Sequence, residues 1–586
     1  MLDELKGDFS HPKLEEEIIE YWKNHGIFKK VQDSRAGKPE YIFFEGPPTA
    51  NGRPGVHHTI SRTLKDFVCR YKTMRGYHVA RKAGWDTHGL PVEIEVEKKL
   101  NLEKKSDVEA YGIDKFNKVC RESVFTYKKD WEQLTERIGY WLDLENPYIT
   151  CENYYIESVW HILAKLFNDD LLYKGHKILP YCPRCETGLS SHEVAQGYKE
   201  VSDPSIFIKA RVKGKENVYF LVWTTTPWTL ISNVALAVHP KADYIRVKLG
   251  GDELILAEAL ANQVIKDEFE ILERLKGRDL ELWEYEPIFP YYKDKLEKAY
   301  IVTNADFVTL EDGSGIVHIA PAFGADDYNV GQKYGLPVLQ AVEPNGELKE
   351  EVTDYAGMFI KDADPLIIKN LKERGLLFKK EKYVHNYPHC WRCKSPLVYY
   401  ARESWYIGTS RFKDKLLENN RTINWVPPEI GFGRFGEWLE NNVDWALSRE
   451  RYWGTPLPVW IGEKTGKQIA IGSVAELKEK GENVPEDIDL HKPYVDEIRI
   501  WNEEDQEWMY RTPEVIDAWF DSGAMPFAQH HYPFENTENW DKYFPADFIS
   551  EGVDQTRGWF YSLVAISSLY AGVAPFKNII VCGHIL

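Results

Sequence analysis

Residues 41–66, YIFFEGPPTANGRPGVHHTISRTLKD, restrict the fold more than any other stretch. The apolar run Tyr41 to Phe44 reads as a buried strand, and Gly46, Pro47 and Pro48 break it. A helical period begins at the pair His57 and His58, with Ile60, Leu64, Phe67, Val68 and Tyr71 on one face. A strand, a Gly/Pro-rich turn and a helix N-terminus form one step of an α/β layer. They also form an anion site, because the first N–H groups of a helix lack partners and its dipole is positive there. Two imidazoles add donors for phosphate oxygens. The same residues equally suit a capping turn with two surface histidines, since strand-to-helix turns are common in α/β folds.

At 586 residues the chain exceeds a single core, so two to four domains are expected. No apolar run approaches a membrane span. The opening MLDELKGDFSHPKLEEEIIEYW reads as an acidic amphipathic helix and not as a leader. A soluble cytoplasmic protein is expected. The net charge of −19 argues against a general nucleic-acid coat protein but leaves room for a local basic groove that guides an RNA end.

Eight cysteines without a secretion signal do not suggest a disulfide framework. Cys69, Cys120, Cys151 and Cys582 stand alone and read as small buried apolar residues. The other four form YCPRCE (Cys182, Cys185) and HCWRCK (Cys390, Cys393). Two such knuckles make a Cys₄ zinc site if they meet in space. The intervening residues 186–389 are too many for a zinc ribbon, so an inserted domain tied at both ends by one metal is expected. Two redox pairs or four reduced thiols are the other readings. His192 or His389 could replace a ligand, but four thiolates are preferred.

Residues 115–138 read as a long helical stretch. Between the knuckles the pattern changes to short β-type runs: SIFIKARV, VYFLVWTTT, YIRVKLG, ELILA and SGIVHIA. Residues 460–515 read as a charged peripheral elaboration, and NIIVCGHIL as a last strand.

Five motifs follow in order: GWDTHGLPVE (Gly84–Glu93), WTTTPWTL (Trp223–Leu230), SRERYWGTPLP (Ser448–Pro458), AWFDSG (Ala518–Gly523) and EGVDQTRGWFY (Glu551–Tyr561). With EGPPTANG they resemble the class I aminoacyl-tRNA synthetases, essentially from Phe9 to Leu586. WTTTPWTL followed by DQTRGWF is similar to the isoleucine branch, while the valine and leucine branches share the architecture. The resemblance implies an α/β, Rossmann-type parallel-sheet catalytic domain with an inserted β-barrel-like editing domain and a zinc knuckle. The implied divisions are 1–180, the N-terminal helix and first catalytic half; 181–199 and 386–400, the two halves of the knuckle; 200–385, the insertion; and 401–586, the second catalytic half. The family continues with a lysine-rich loop of the KMSKS type and a helical anticodon-binding domain, so the chain is expected to stop short of both.

The implied partners are L-isoleucine, ATP with Mg²⁺ and tRNA(Ile), with a structural zinc ion, no membrane and a monomeric state. In the implied reaction the isoleucine carboxylate attacks the α-phosphorus of ATP, pyrophosphate leaves, and the acyl group of the adenylate then passes to tRNA. Neither step needs a protein nucleophile, so catalysis is positioning and charge stabilisation. By resemblance, His57, His58, Asp86 and Gln555 act in catalysis. Asp86, Glu551 and Gln555 receive the substrate ammonium. Pro47, Trp519 and Trp559 wall the side-chain pocket, with Gly46 and Gly552 beside it, and Asp554 and Gln555 hold the adenylate. With 20 tryptophans in the chain, Trp519 and Trp559 could also be core aromatics. The family loop reads His-x-Gly-His, whereas here it is Gly55-Val56-His57-His58. His58 keeps its place, and His57 stands where glycine lets the nucleotide approach. Resistance to adenylate-mimicking antibiotics is therefore expected.

An apolar pocket discriminates weakly against a substrate lacking one methylene, isoleucine against valine being the standard instance, and a second hydrolytic site is the remedy. By resemblance Thr224, Thr225, Thr226 and Asn233 serve the ribose end and a water. His318 and Asp327, in GSGIVHIAPAFGADDY, complete the editing site, and the Asp327 carboxylate pairs with the mischarged ammonium. The threonine run alone could be strand filler. A valine-specific enzyme and a non-catalytic paralogue that binds tRNA or adenylate are the alternatives.

Overall fold

The computed structural model describes residues 10–49, 52–538 and 540–583. The chain divides into two compact units, Met1–Lys174 with Trp405–Leu586, and Gly175–Ser404. Parts of three sequence features lie outside the described residues: 1–9 of the opening helix, Ala50 and Asn51 of EGPPTANG, and 584–586 of the last strand.

The first unit is built on parallel strands. Lys82–Trp85 pairs in parallel with Asp143–Ile149. The Tyr41 to Phe44 run lies between that pair and the next strand: Tyr41 N donates to His78 O at 2.8 Å, and Asp547 N donates to Ile42 O at 2.7 Å. Ile549–Gly552 then pairs in parallel with Asn578–Cys582, which pairs in parallel with Asn424–Val426. The spatial order is therefore 143–149, 82–85, 41–44, 549–552, 578–582, with 424–426 added at the edge. Numbered along the chain without that edge strand, this is 3-2-1-4-5, a doubly wound order. Its direction reverses between 41–44 and 549–552, and ligands in such sheets bind beyond the strand C-termini at that switch point. The strands sequester Phe43, Phe44, Phe548, Ile549 and Ile579, consistent with a parallel sheet covered on both faces.

The helix His57–Met74 has the expected period but the opposite polarity. It buries Ser61, Arg62, Lys65, Cys69 and Thr73. Of the side expected to face the core, Ile60, Phe67 and Tyr71 are exposed, Phe67 at 68%, while Leu64 and Val68 are half-buried; Met74 is exposed too, at 74%. Buried carboxylates draw the helix in by its cations, as described below. The stretch 115–138 is two helices, Ile113–Ser123 and Lys128–Arg137. Residues 460–515 are not a solvated elaboration. They contribute an antiparallel sheet of Gln468–Ala470, Val459–Gly462, Glu507–Arg511 and Ile500–Asn502. Trp460, Leu477, Leu490 and Val495 form a core there with Ile156 and Trp160.

The second unit is a curled mixed sheet. Val218–Thr224 pairs with Tyr198–Arg211, Asp252–Ala257 and Ile316–Ile319, so the sheet forks around it. All five β-type runs are strands. The unit's outer ends are joined by a long antiparallel ladder, Tyr198–Arg211 with Leu377–Pro388, running from Tyr198↔Pro388 to Ile208↔Leu377. Among the described residues no helix is long and apolar enough to cross a membrane.

Candidate active sites

At the switch point of the first unit, 41–44 ends at Glu45 and Gly46, and Ile549–Gly552 carries Glu551 next to its last residue. These two ends touch. A Cβ on Gly46 would stand 2.6 Å from Glu551 Oε1, so no larger residue fits without moving that carboxylate. Lys65 Nζ bridges the ends, 2.7 Å from Glu551 Oε1 and 2.9 Å from Glu45 Oε2. Tyr140 OH donates to Glu45 Oε2 at 2.7 Å, and Arg62 Nη2 lies 3.6 Å from Glu45 Oε1. Burial works against the Lys65 ammonium, but Glu45 and Glu551 outweigh it and hold its pKa above the ordinary lysine value. Burial likewise pushes the Glu551 carboxyl upward, opposed by Lys65.

Lys65→Met should leave the buried Glu45 carboxylate and the part-buried Glu551 carboxylate without their shared cation. A loss on the order of 3–5 kcal/mol is expected for breaking such a pair from one side. The double variant Lys65→Met with Glu551→Gln should recover part of it. Urea unfolding of the three proteins checks this, and an unmoved transition in Lys65→Met would show that the bridge contributes nothing.

At the start of the helix, Gly55 N donates to His58 Nδ1 at 2.9 Å, which leaves the proton on Nε2. Burial, reinforced by His57, lowers the His58 pKa to about 4, so it is a neutral donor. Its ring meets Trp131 edge-on at 4.7 Å. His57 is exposed, and its ring fills the space that a side chain at position 55 would enter. A Cβ on Gly55 would lie 2.5 Å from His57 Cε1. The residues exchanged relative to the family pattern therefore compete for one volume.

Asp86 follows the strand Lys82–Trp85, and its N–H donates to Pro48 O at 3.1 Å, which sets its loop against the Gly46-Pro47-Pro48 turn. Trp519 lies in the first turn of Ala518–Gly523, whose cap Asp517 accepts from Trp519 N at 3.1 Å. Its ring covers the DQTRGW turn, since a Cβ on Gly558 would be 2.8 Å from Trp519 Cη2. In that turn Gln555 Oε1 accepts from Trp559 N at 3.1 Å, and Gln555 Nε2 donates to Asp554 Oδ2 at 3.0 Å. Gly552 leaves room for Asp554, whose Oδ1 would be 2.5 Å from a Cβ there. Trp559 is buried in the main core and donates from Nε1 to Ser522 O at 3.1 Å. Contacts thus link Asp86 to the Gly46-Pro47-Pro48 turn, Gly46 to Glu551, and Trp519 to the DQTRGW turn, while Trp559 lies in the core. Glu45 opens the EGPPTANG motif but was not singled out as a site residue, and Lys65, which links it to Glu551, lies outside every motif; only an Arg and a Lys three apart on an otherwise amphipathic helix hint at it.

In the second unit the threonine run is linked by hydroxyl contacts. Thr224 Oγ1 accepts from Thr226 N at 3.1 Å, Thr226 Oγ1 lies 2.9 Å from Thr229 Oγ1, and Thr229 Oγ1 lies 3.0 Å from His318 Nε2. Thr229 was not singled out from the sequence. Burial lowers the His318 pKa to about 4, and its Nδ1 has no partner among the described residues. Thr225 is part-exposed at the end of the same strand. Asp327 lies in the first turn of Ala325–Tyr334 and accepts from Ala320 N at 2.8 Å, and burial raises its carboxyl to about 7. Asn233 is placed differently. It is buried, its carbonyl accepts from Tyr285 OH at 2.5 Å, and its amide donates to Ala235 O at 2.8 Å, so it ties core segments together. Asp364 is a further acid of this region without a sequence signal. It accepts from Trp228 N at 2.8 Å, and burial raises it to about 7.

The two cysteine knuckles meet. The Sγ atoms of Cys182, Cys185, Cys390 and Cys393 all lie within 4.8 Å of one another, the first three residues buried. Tetrahedral coordination at about 2.3 Å per sulfur separates sulfurs by about 3.8 Å, so this group could hold a metal ion. The ladder between Tyr198 and Pro388 delivers the knuckles to each other, and His389 N donates to Gly197 O at 2.9 Å beyond it. His192 faces Ser190 Oγ at 3.1 Å and His389 faces Tyr387 O at 3.0 Å, so neither belongs to the sulfur group.

Residues 17–586 match a family profile described as tRNA synthetases class I (I, L, M and V). An isoleucine–tRNA ligase of Clostridium novyi is 54% identical over 584 residues, covering 100% of this chain and 56% of that protein. Isoleucine–tRNA ligase 2 of Bacillus thuringiensis subsp. konkukian is 55% identical over 573 residues, 98% of this chain and 55% of the relative. The chain therefore spans about half the length of the curated relatives it matches. A solved ternary complex of an Agrobacterium radiobacter LeuRS with tRNA and LeuAMS aligns with 98% of this chain and 68% of that one, at 14% identity and a TM-score of 0.43, too distant to bear on the site.

Proposed function

Since the chain belongs to the class I tRNA synthetases of the I, L, M and V group, we propose that it carries the amino-acid-activating and proofreading portions of an isoleucine–tRNA ligase. The observation that supports this reading is the switch point at which Gly46 touches Glu551, with the Asp86 N–H on Pro48 O and the Trp519 ring over Gly558. There the isoleucine carboxylate would attack the α-phosphorus of ATP held with Mg²⁺, with pyrophosphate leaving. His57, the Nε2–H of His58 and the helix N-terminus face the phosphates as donors. Asp86, Glu551 and Gln555 receive the ammonium, Asp554 the adenylate, and Pro47, Trp519 and Trp559 enclose the aliphatic side chain beside Gly46 and Gly552.

In the second unit, Thr224, Thr225, Thr226 and His318 would hold the terminal ribose and a water, with Asp327 on the ammonium of a mischarged valyl group. Asn233 supports that floor from the core. The four cysteines would hold a structural zinc ion, which supplies a crosslink at the unit's two ends and no chemistry. The macromolecular partner is tRNA(Ile), and the setting is a cytoplasmic monomer.

Titration of this chain with non-hydrolysable isoleucyl- and valyl-adenylate analogues tests the reading. Isoleucyl should bind about 10–200-fold more tightly, the worth of one methylene in an apolar pocket. Equal affinity, or a preference for valyl, would sink the isoleucine assignment.

A further inference from the structure

The helix Lys128–Arg137 lies outside every sequence motif, yet one of its residues reaches the loop, the helix and the strand described above. Trp131 is buried. Its indole Nε1–H donates to Gly52 O at 2.8 Å. Its ring meets His58 edge-on at 4.7 Å, and the Arg62 guanidinium lies 5.1 Å from the ring centroid. It also forms a small core with Trp85, the residue before Asp86. Trp131 is tied down in turn: Thr135 Oγ1 donates to Trp131 O at 2.7 Å and accepts from Arg62 Nη1 at 2.7 Å.

An indole offers one donor and no acceptor, and here that donor is spent on a backbone carbonyl of the loop. The same part of the chain also meets the loop through Arg53, whose Nε lies 3.3 Å from Asp130 Oδ2 and whose guanidinium is 6.0 Å from the Tyr127 ring centroid. The Arg53 side chain is 80% exposed, and ion pairs so open to water contribute little. The buried Trp131 bond is therefore the stronger tie. Gly52 and His58 are six residues apart, so one side chain grips the segment 52–58 at both ends. Between the two grips lie Gly55 and His57, which compete for one volume.

We infer that Trp131 is a positioning residue for the phosphate-binding segment: its N–H holds Gly52 and its ring covers His58, so that the His58 Nε2–H and the helix N-terminus are presented to phosphate in a fixed orientation. This rests on the function proposed above. The cover has an electrical consequence as well. Burial is the main influence that keeps His58 uncharged; His57, Arg62 and Lys65 act in the same direction, and the hydrogen bond with Gly55 opposes them.

Two variants separate the two contacts. Trp131→Phe keeps an aromatic ring against His58 and Trp85 but removes the donor to Gly52, whereas Trp131→Ala removes both. In titrations of this chain, Trp131→Phe should weaken ATP with Mg²⁺ by about tenfold or more, as expected when a positioned group is displaced by a fraction of an ångström. Isoleucine affinity should stay at the parent value. The His58 ring is followed by NMR and assigned by the signal lost in His58→Gln. It should show no titration near the ordinary histidine value in the parent or in Trp131→Phe, and should titrate toward that value in Trp131→Ala, where water reaches the ring. Thermal unfolding checks that the variants fold. Parent-like ATP binding by Trp131→Phe, equal weakening toward ATP and isoleucine, or an unmoved His58 titration in Trp131→Ala would overturn the inference while leaving the functional reading in place. If the parent chain bound neither the isoleucyl nor the valyl adenylate analogue, the functional reading would fall first and this inference with it.

Discussion

Replacing Asp327 by alanine should lower hydrolysis of valyl-tRNA(Ile) by about 100-fold or more, the usual effect of removing one preorganised electrostatic contact at a reacting centre. The carboxylate is fixed at the start of its helix by Ala320 N, so it is directed before substrate arrives. Binding of the isoleucyl-adenylate analogue by the same variant should stay at the parent value, because the crevice around Gly46 and Glu551 shares no residue with this site. A joint loss would mean that one site does both tasks. The titration of Asp327 gives a second handle. Burial raises it to about 7, and only the ionised form can pair with an ammonium group. Deacylation should therefore rise as pH goes from 6 to 8 and level off above. A flat profile would remove Asp327 from that role.

Cys393→Ala should abolish stoichiometric metal. The parent chain, purified without chelator, should carry one zinc per molecule by elemental analysis, and the variant close to none. Structural thiolate sites bind zinc with about 10–16 kcal/mol of apparent free energy, which is available to folding only when the site forms. Limited proteolysis of the variant should accordingly cut near residues 182–197 and 389–397, which the parent protects. A metal-free parent with the same protection would show that hydrogen bonding and the ladder hold the knuckles without an ion.

The sequence was most legible where chemistry demands a fixed residue type. The cysteine knuckles meet as their spacing suggested, and GWDTHG and EGVDQTRGW each meet the turn after the first strand, through Asp86 N on Pro48 O and Glu551 on Gly46. It was least legible where a periodic pattern had to be given a direction. The helix after His58 has an unambiguous period, and apolar residues ordinarily face inward. Here Glu45 sits buried at the end of the first strand, and desolvating a carboxylate requires cations. Arg62 and Lys65 therefore turn inward, and Phe67 and Met74 outward. Nothing local to the helix announces a carboxylate some twenty residues upstream. Asn233 shows the opposite failure. Its place downstream of the threonine run suggested a site role, but the Tyr285 hydroxyl engages its carbonyl from another segment. The stretch 460–515 was read as peripheral because a charged sequence resembles a solvated surface until its core of Trp460, Leu477 and Leu490 is seen.

The ladder that joins Tyr198 to Pro388 bears on the order of events on the ribosome. Every residue of the second unit has been synthesised once translation passes Ser404, so that unit can close as soon as its last strand emerges. The parallel sheet cannot. Its Tyr41 to Phe44 strand waits for Phe548, a delay of roughly 25–100 s at bacterial or eukaryotic elongation rates of about 5–20 residues per second. During that time Phe43 and Phe44 lie on an unpaired strand edge, the kind of surface that seeds aggregation. The nascent first half of this chain therefore keeps an unpaired edge long after the interrupting unit has all its strands.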